Sequence, residues 1–313
     1  MAELDHAMAH PRDMALLRGA AGPGPYKLSP SCPTVCMAAR GPARYKIKRK
    51  VTRAAPGRRA VGADDGFWGK VVRDIESLAE RGCYESVSDL ISLYMAPKLR
   101  TIAAALLSAG GRRPEVIVDA GCGPGTSTRV VASLYPDAKV VAMDPSVGCL
   151  RGVRSRVPGA APVQGVFEGM PLRDGSADAV VAMFSFRDAA DYSRALDEIA
   201  RVLRDDGVFV MLDLYRPEGG LEAAATVAQF RVFGPLAGLA LGCGRDGLKF
   251  GEIYDTVTRM MTPTELVREA GKRFSYVAFH RTPLLVGILY ARGPRRPGGT
   301  GTLSRAPTAR PRT

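Results

Sequence analysis

The segment VIVDAGCGPGTST at residues 116–128 constrains the fold of this chain more than any other. It begins with a short apolar run, typical of a buried strand, and the run ends at Asp119. Three glycines and the start of a helical pattern follow, at Gly121, Gly123, Gly125 and Thr126. Glycine lets a backbone turn tightly and approach a ligand without a Cβ in the way. A strand, a glycine turn and a helix in this order begin a nucleotide-cofactor fold.

Short apolar runs alternate with helical patterns along the rest of the chain. The runs lie at residues 139–143, 179–184 and 207–214, and the helical patterns at residues 67–79, 86–109, 126–134 and 192–203. This alternation predicts βαβ units and a parallel sheet covered by helices on both faces. Two last runs, at residues 276–280 and 284–291, predict a closing antiparallel pair at one edge.

The net charge of +13 is confined to the two ends of the chain. Residues 1–62 carry a net charge of +9 and residues 291–313 carry +6, which leaves −2 for the part between them. Both ends are rich in Pro, Gly, Ala and Arg, so we predict disordered basic extensions at residues 1–62 and 292–313 around a folded domain at residues 63–291. The central part has no excess of positive charge for tracking phosphates, which argues against a nucleic-acid partner.

Other compositional features narrow the class of protein. No apolar run reaches the ~18 residues of a membrane helix, and no signal-peptide pattern is present, which favours a cytoplasmic protein with reduced thiols. His280 is the only histidine outside the N-terminal extension, and the cysteines lack paired metal spacing, so no metal site is predicted. Asparagine is absent, and this favours a thermophilic source because side-chain amides deamidate when hot.

Two carboxylates indicate which ligand the glycine turn would hold. The spacing is neither the dinucleotide G-x-G-x-x-G nor a P-loop, and a structural joint is the alternative. Asp119 ends the first strand and favours a cationic group, whereas Asp144 ends the second, where a carboxylate can accept from ribose hydroxyls. A helix beginning at Thr126 favours a carboxylate. S-adenosylmethionine has all three groups: a cation, a carboxylate and a ribose.

These segments resemble a known family. VDAGCGPGTST followed by VVAMDPS resembles motif I and the acidic loop of class I S-adenosylmethionine-dependent methyltransferases. Residues 166–217 and 254–271 are similar to the ubiquinone/menaquinone biosynthesis C-methyltransferases of the UbiE/MenG type, and residues 84–100 resemble a diverged form of their N-terminal helix. The resemblance implies a Rossmann-like α/β fold with a mostly parallel seven-stranded sheet, helices on both faces and an antiparallel edge strand.

The resemblance also implies which residues hold the cofactor. They are Asp119, Gly121, Cys122, Gly123, Gly125 and Thr126 for the methionine part, Asp144 and Pro145 for the ribose, Val166 and Phe167 for the adenine, and Met183 and Phe184 for the sulfonium. The alternative for Met183 and Phe184 is that both pack in the core of the sheet. The family has an acidic residue where Val166 stands, so adenine recognition would fall to backbone groups and Glu168. It has Arg-Asn where Arg187-Asp188 stands, which leaves room for a different substrate.

Methylation of a ring carbon requires a proton acceptor that activates the ring as a phenolate. Asp188 and Tyr84 are the candidate acceptors, and Arg187 is the candidate for stabilising the phenolate. Each has a structural alternative: Arg187 could pair with Asp188 or Asp191 on the surface, Tyr84 could pack in a helix, and Asp188 could cap the helix near residue 192.

The insertion at residues 219–251 is markedly apolar and stands where the resemblance implies a substrate cover. It would form an apolar slot for a prenylated ring or contact a membrane surface. The alternatives are that it packs on the core or forms a homodimer face.

A small-molecule methyltransferase acting on a prenylated quinol is the leading hypothesis. An RNA or protein methyltransferase using the basic tails is the second, and a non-enzymatic binding module, which degraded glycines would indicate, is the third.

Overall fold

Seven strands form one sheet in the computed structural model, which describes Lys70, Asp74 and residues 84–282 and 285–296. The strands are β1 (Val116–Ala120), β2 (Lys139–Asp144), β3 (Ala161–Gln164), β4 (Ala177–Met183), β5 (Leu203–Leu214), β6 (Phe274–Arg281) and β7 (Val286–Pro294). The helices are α1 (Tyr84–Ile91), α2 (Ala96–Ala105), α3 (Thr126–Leu134), α4 (Val147–Arg156), α5 (Tyr192–Val202), α6 (Gly220–Val227), α7 (Gly234–Ala240), α8 (Ile253–Arg259) and α9 (Pro263–Gly271). Three predicted segments lie outside the described part: the extension at residues 1–62, most of the helix at residues 67–79, and residues 297–313 of the C-terminal extension.

The strand order is β3-β2-β1-β4-β5-β7-β6, which confirms the predicted seven-stranded α/β fold. The first five strands of this order are parallel, whereas β7 is antiparallel to both β5 and β6. The reversed strand therefore lies one position in from the edge. The pattern of apolar runs did not predict β3. Its residues APVQ include a proline and lie in an edge strand, where they are only partly buried.

Apolar side chains alternate between the two faces of the sheet, as expected for strands covered on both sides. Ile117, Val181 and Leu212 join the cluster beneath α2, α3 and α4. Val118 and Met211 join the opposite cluster, which α5 and α9 cover. Among the described residues, no helix is both long and apolar enough to cross a membrane.

The helix predicted at residues 86–109 is two helices joined by a turn. Pro97 occupies the first turn of α2, where its missing N–H breaks no helical hydrogen bond, whereas in one continuous helix it would remove the bond to the carbonyl of Leu93. The turn also contains Leu93 and Tyr94 with φ of +48° and +60°, and both side chains are exposed. Consequently α1 and α2 form a bent pair above the carboxyl ends of the strands.

The insertion at residues 219–251 is helical and packs on the core with its inner face. It comprises α6, a π-helical turn at Ala228–Phe233, α7 and most of the 3-10 helix Gly244–Glu252. Phe230 and Phe250 are fully buried in the same cluster as Ile91 of α1. Cys243 is disulfide-bonded, so the expectation of reduced thiols is wrong at this position.

Two glycines allow this insertion to fold against itself. A Cβ built on Gly238 would lie 2.6 Å from the Cα of Gly247, which leaves no space for any side chain. We expect Gly238→Ala to lower the free energy of unfolding by about 1–3 kcal/mol, because overpacking forces the backbones apart. Gly220→Ala is the control, since nothing lies within 4 Å of its Cβ position. Equal melting temperatures for the two variants would contradict this packing.

Candidate functional site

The glycine loop after β1 is fastened to the end of β2. The backbone N–H groups of Gly121 and Cys122 both donate to the carbonyl of Met143, at 2.8 and 3.0 Å. Each glycine has positive φ: Gly121 +69°, Gly123 +52° and Gly125 +98°. A Cβ on Gly121 would meet Ser185 Oγ at 2.7 Å, whereas nothing lies within 4 Å of a Cβ on Gly123. Packing thus requires the first glycine, and the second leaves open space over the backbone where a ligand can approach.

Asp119 is a fully buried carboxylate beside this loop. Its Oδ2 accepts a hydrogen bond from Thr128 Oγ1 at 2.7 Å, while its Oδ1 is buried without a hydrogen-bond partner among the described residues. Burial raises the pKa of Asp119 to about 7, against the lowering effect of the Thr128 hydroxyl. A buried carboxylate oxygen that lacks a donor suits an ammonium group.

Asp144 lies at the end of β2 with its carboxylate fixed by backbone donors. Its Oδ2 accepts from the N–H of Gly123 at 2.8 Å, and its Oδ1 accepts from the N–H of Ser146 at 2.9 Å. The first of these bonds joins the acidic turn to the glycine loop. The structure therefore brings Asp119, the glycines and Asp144 together at the carboxyl ends of β1 and β2, as the sequence predicted.

The residues predicted for adenine line the next turn. Val166 is half-buried, and the buried Phe167 ring packs edge-on against Phe186 at 5.5 Å between centroids. Glu168 is buried, and its Oε1 accepts from the N–H groups of residues 190–191 at 2.6 and 3.1 Å. It fixes the loop after β4, and its expected help in adenine recognition stays a prediction.

The two residues predicted to face the sulfonium differ in their surroundings. Met183 is buried in the core cluster, in agreement with its structural alternative. Phe184 is half-buried with φ of +60°, a left-handed conformation that costs roughly 1–2 kcal/mol in a non-glycine residue. Its N–H donates to the carbonyl of Leu212 at 2.6 Å, which helps to hold this conformation. Its ring faces the guanidinium of Arg100 at 4.9 Å.

The predicted cofactor and acceptor residues outside these groups are placed as follows. Cys122 is a free, buried thiol whose pKa burial raises, and Thr126 is the first residue of α3. The carbonyl of Pro145 accepts from Gln164 Nε2 at 3.0 Å. Tyr84 begins α1, and its role stays a prediction.

Arg187 is not on the surface. Its Nη1 donates to Asp213 Oδ1 at 2.8 Å and to the carbonyl of Phe184 at 2.7 Å, and its own N–H donates to Asp213 Oδ2. Both side chains are buried. The expected surface location is therefore wrong, because Arg187 is buried. Its closer partner is Asp213, with Asp188 3.7 Å away, and the pair with Asp213 ties the end of β4 to the end of β5.

Asp188 lies beside this ion pair, and one of its carboxylate oxygens has no hydrogen bond among the described residues. This oxygen, Oδ1, is enclosed, and the Nε of Arg187 lies 3.7 Å away. Burial raises the pKa of Asp188 to about 6, despite the lowering effect of Arg187. The predicted cap of α5 is not Asp188 but Asp191, whose side chain accepts from the N–H of Arg194. A carboxylate that titrates near 6 can accept a proton at neutral pH.

A cavity of about 60 Å³ lies beyond Phe184, under α1, α2 and the insertion. Seven of its twelve lining residues are apolar, among them Ile91, Phe184, Leu214, Phe230 and Val286. The polar members are Ser88, Ser92, Arg100, Arg187 and Gln229. A cavity that holds one benzene ring is roughly 150 Å³, so an aromatic ring would require the cover to shift. The described residues contain no group of three or more His, Cys, Asp or Glu that could hold a metal ion.

Two residues of this site were not found from the sequence. Asp213 is an acidic residue that follows the apolar second half of β5, and this is the signal that identified Asp119 and Asp144. Arg100 is a buried arginine on α2, and a charge on a largely apolar helix is a weaker signal because most such residues reach solvent.

Comparison with known proteins agrees with this geometry. Residues 118–211 match a family model described as a methyltransferase domain. The chain is 30% identical over 225 residues to the ubiquinone/menaquinone biosynthesis C-methyltransferase UbiE of Methylobacterium nodulans, covering 68% of this chain and 85% of that protein. It is 28% identical over 146 residues to the demethylmenaquinone methyltransferase of Thermotoga maritima, covering 47% of this chain but only 62% of that protein.

A solved structure, a possible histamine N-methyltransferase from Thermotoga maritima, has the same fold with a TM-score of 0.51 at 16% identity, covering 71% of this chain and 98% of the other. The matched methyltransferase domain and the relative from Methylobacterium nodulans together define an S-adenosylmethionine-dependent methyltransferase. Within that class, the chain belongs to the UbiE family.

S-adenosylmethionine fits the residues at the strand ends. The orphaned Oδ1 of Asp119 suits the ammonium group, and the open space over Gly123 allows the methionine part to approach the backbone. The Asp144 carboxylate, fixed by two N–H groups, is placed at the strand end where ribose hydroxyls bind in such folds.

The buried charge of Asp119 makes the stability of the ligand-free protein depend on pH. The pKa of Asp119 is about 7 in the folded protein and about 3.9 in the unfolded chain. The free energy of unfolding therefore decreases as pH rises from 4 to 7, because the carboxylate ionises less readily in the folded protein. We expect Asp119→Asn to melt above the wild type, with the difference roughly 3–6 °C larger at pH 8 than at pH 5.

The same variant should lose most of the stabilisation that S-adenosylhomocysteine gives the wild type. Thermal melts at both pH values, with and without this ligand, measure both effects. A difference in melting temperature that is independent of pH, or full stabilisation of the variant by the ligand, would contradict the assignment.

Proposed function

We propose that this protein methylates a ring carbon of a prenylated quinol. The observation that carries the proposal is a carboxylate oxygen of Asp188 without a hydrogen bond among the described residues and with a pKa near 6. It lies 3.7 Å from the Nε of Arg187, and Arg187 lines the cavity at the end of β4. The relatives named for ubiquinone and menaquinone biosynthesis support this acceptor class.

The chemistry is divided between the cofactor and the protein. When bound, S-adenosylmethionine supplies an electrophilic methyl group on a sulfonium, and a phenol that takes it on a ring carbon must release one proton. Asp188 is proposed as the base that accepts this proton. Arg187 is a positioning residue, because its charge is offset by Asp213 and its bonds to Phe184 and Asp213 set the loop that carries Asp188.

The cofactor residues are proposed in the roles that the family resemblance implies. Asp119 accepts from the ammonium and Asp144 from the ribose, while the glycine loop with Cys122 and Thr126 forms the floor. Pro145, Val166 and Phe167 are proposed around the ribose and adenine, and Tyr84 as a second candidate for the proton acceptor. Met183 is proposed only as support for Phe184, since it is buried in the core.

The acceptor is tested by methyl transfer from labelled S-adenosylmethionine to a reduced naphthoquinone that carries a short prenyl chain. We expect a product one methyl group heavier, with the label on a ring carbon. Bulk RNA and a protein mixture serve as competing acceptors for the second hypothesis, in which the basic tails hold a macromolecule. Label in either of those, or on a phenol oxygen, would contradict the proposal.

Activity should depend on the titration of Asp188. Because the base must be ionised, we expect kcat/KM to rise with pH through about 6 and to level off above 7. Asp188→Asn should remove this limb of the profile and lower kcat by about 100-fold. Asp191→Asn is the control, because Asn still caps α5. The same acidic limb in Asp188→Asn would exclude Asp188 as the base.

We also propose that the insertion contacts a membrane surface, from which an apolar acceptor would enter. Several of its leucines are exposed, including Leu221, Leu236, Leu239, Leu241 and Leu248. The exposed Leu93 and Tyr94 lie on the turn between α1 and α2, and that turn is next to cavity residues Ile91 and Ala96. Apolar surface therefore extends around the cavity. A homodimer face is the alternative, and a cytoplasmic location stays a prediction.

Vesicle sedimentation tests this contact. We expect the wild type to sediment with phosphatidylglycerol vesicles and Leu236→Glu/Leu239→Glu to bind at least about fivefold less, because two apolar side chains would no longer enter the lipid. Val147→Glu is the control, since Val147 is similarly exposed but lies on α4. A wild type that stays in the supernatant, or a double variant that only dissociates a dimer, would contradict membrane contact.

A further inference from the structure

Gln229 places a side-chain amide in the wall of the cavity. It lies in the π-helical turn Ala228–Phe233 of the insertion, and π-helical turns are rare and occur frequently at functional sites. Gln229 and Gln164 carry the only side-chain amides of the chain, since asparagine is absent. One of these two amides therefore lines the space that the ring of a methyl acceptor would enter.

One half of this amide is already bound by the protein. The Nε2 of Gln229 donates a hydrogen bond to the backbone carbonyl of Ile91 at 3.2 Å, and Ile91 also lines the cavity. Because a carbonyl only accepts, the NH₂ group must face it, and this bond decides which end of the amide is which. The Oε1 atom accepts no hydrogen bond within the described part of the chain. The wall thus carries an oxygen that accepts a proton donor and has none to give.

The bond between Gln229 and Ile91 joins two parts of the cover. Ile91 ends α1, whereas Gln229 belongs to the insertion. An aromatic ring enters only when the cover shifts, and a shift that moves α1 and the insertion as one unit keeps the amide oriented. Phe184 and Arg187 line the cavity from the strand ends, and Asp188 lies 3.7 Å from the Nε of Arg187. An amide acceptor in the cover therefore accompanies a carboxylate at the strand ends.

The serines of the cover do not provide the same selectivity. The hydroxyl of Ser92 donates to the carbonyl of Asp89 at 2.9 Å and accepts from the N–H of Ala96 at 3.2 Å, so it serves the turn between α1 and α2. Ser88 has a hydroxyl that both donates and accepts, and it would bond a ring hydroxyl and a ring carbonyl alike. The amide oxygen of Gln229 bonds only the hydroxyl.

We propose that Gln229 Oε1 accepts a hydrogen bond from the second hydroxyl of the methyl acceptor and thereby selects a ring with two hydroxyl groups. The inference rests on the proposed function, because it assumes that a quinol enters this cavity. The first hydroxyl gives its proton to the base, whereas the second keeps its proton and donates to the amide. In an oxidised or O-alkylated ring this proton is missing, so two oxygen lone pairs face each other and Oε1 is desolvated without a donor. Gln229 is thus a specificity-determining residue.

Calorimetry with two naphthalene probes tests this role. The full-length protein, saturated with S-adenosylhomocysteine and kept free of oxygen, is titrated with 1,4-dihydroxynaphthalene and with 4-methoxy-1-naphthol. The second probe keeps one hydroxyl for the base and carries an ether in place of the other. We expect the wild type to bind the diol at least about tenfold more tightly, because the ether leaves Oε1 without a donor. Gln229→Met should lower this preference at least about fivefold.

Two further variants serve as controls. The Nε2 of Gln164 donates to the carbonyl of Pro145 at 3.0 Å, much as the amide of Gln229 binds Ile91, but Gln164 does not line the cavity. Gln164→Met should therefore keep the full preference for the diol. Ser88→Ala should also keep it, since Ser88 lines the cavity without distinguishing the two probes.

The ratio of the two affinities separates recognition from a structural effect. If Gln229→Met weakens both probes equally, the residue only holds the cover, and the inference is overturned. A wild type without preference for the diol, or a preference that Ser88→Ala abolishes and Gln229→Met retains, also overturns it. Because binding needs no methyl transfer, the proposed function fails separately, when a wild type that prefers the diol methylates no quinol.

Discussion

The site depends on a constraint of sheet topology. From β1 the sheet grows through β2 to one edge, and from β4 it grows through β5 to the other. The connections that follow β1 and β4 therefore diverge, and a crevice opens between the carboxyl ends of these strands. The glycine loop and Asp144 lie on one side of the crevice. Phe184, Arg187 and Asp188 follow β4 on the other side, so cofactor and acceptor residues face each other.

The two halves of this crevice are held by different means. On the β1 side, backbone N–H groups and the Asp144 carboxylate join two neighbouring turns. On the β4 side, a buried ion pair between Arg187 and Asp213 joins turns that are 26 residues apart. Replacing a buried ion pair with apolar groups is often neutral or stabilising. The pair is therefore better explained by the position that it gives Phe184 and Asp188 than by the stability that it adds.

The sequence allowed prediction of the site residues that lie in the turn directly after a strand. Asp119, Asp144 and the glycines could be predicted, because each follows a strand directly and strand ends of a parallel sheet meet at one edge. Contacts between distant segments could not be predicted in this way. The partner of Arg187 and the inward-facing Arg100 depend on how β5 and α2 pack. The break between α1 and α2 was missed, although Pro97 was a visible signal, because the apolar spacing continues across it.

The central claim is that the ends of β1 and β2 hold S-adenosylmethionine, and calorimetry with S-adenosylhomocysteine tests it most directly. We expect the wild type to bind one equivalent. We also expect Asp144→Ala to bind at least about tenfold more weakly, because a carboxylate acceptor for the ribose is lost. Asp137→Ala, which removes an exposed carboxylate before β2, should bind as the wild type does. A wild type that does not bind, or undiminished binding by Asp144→Ala, would contradict the account.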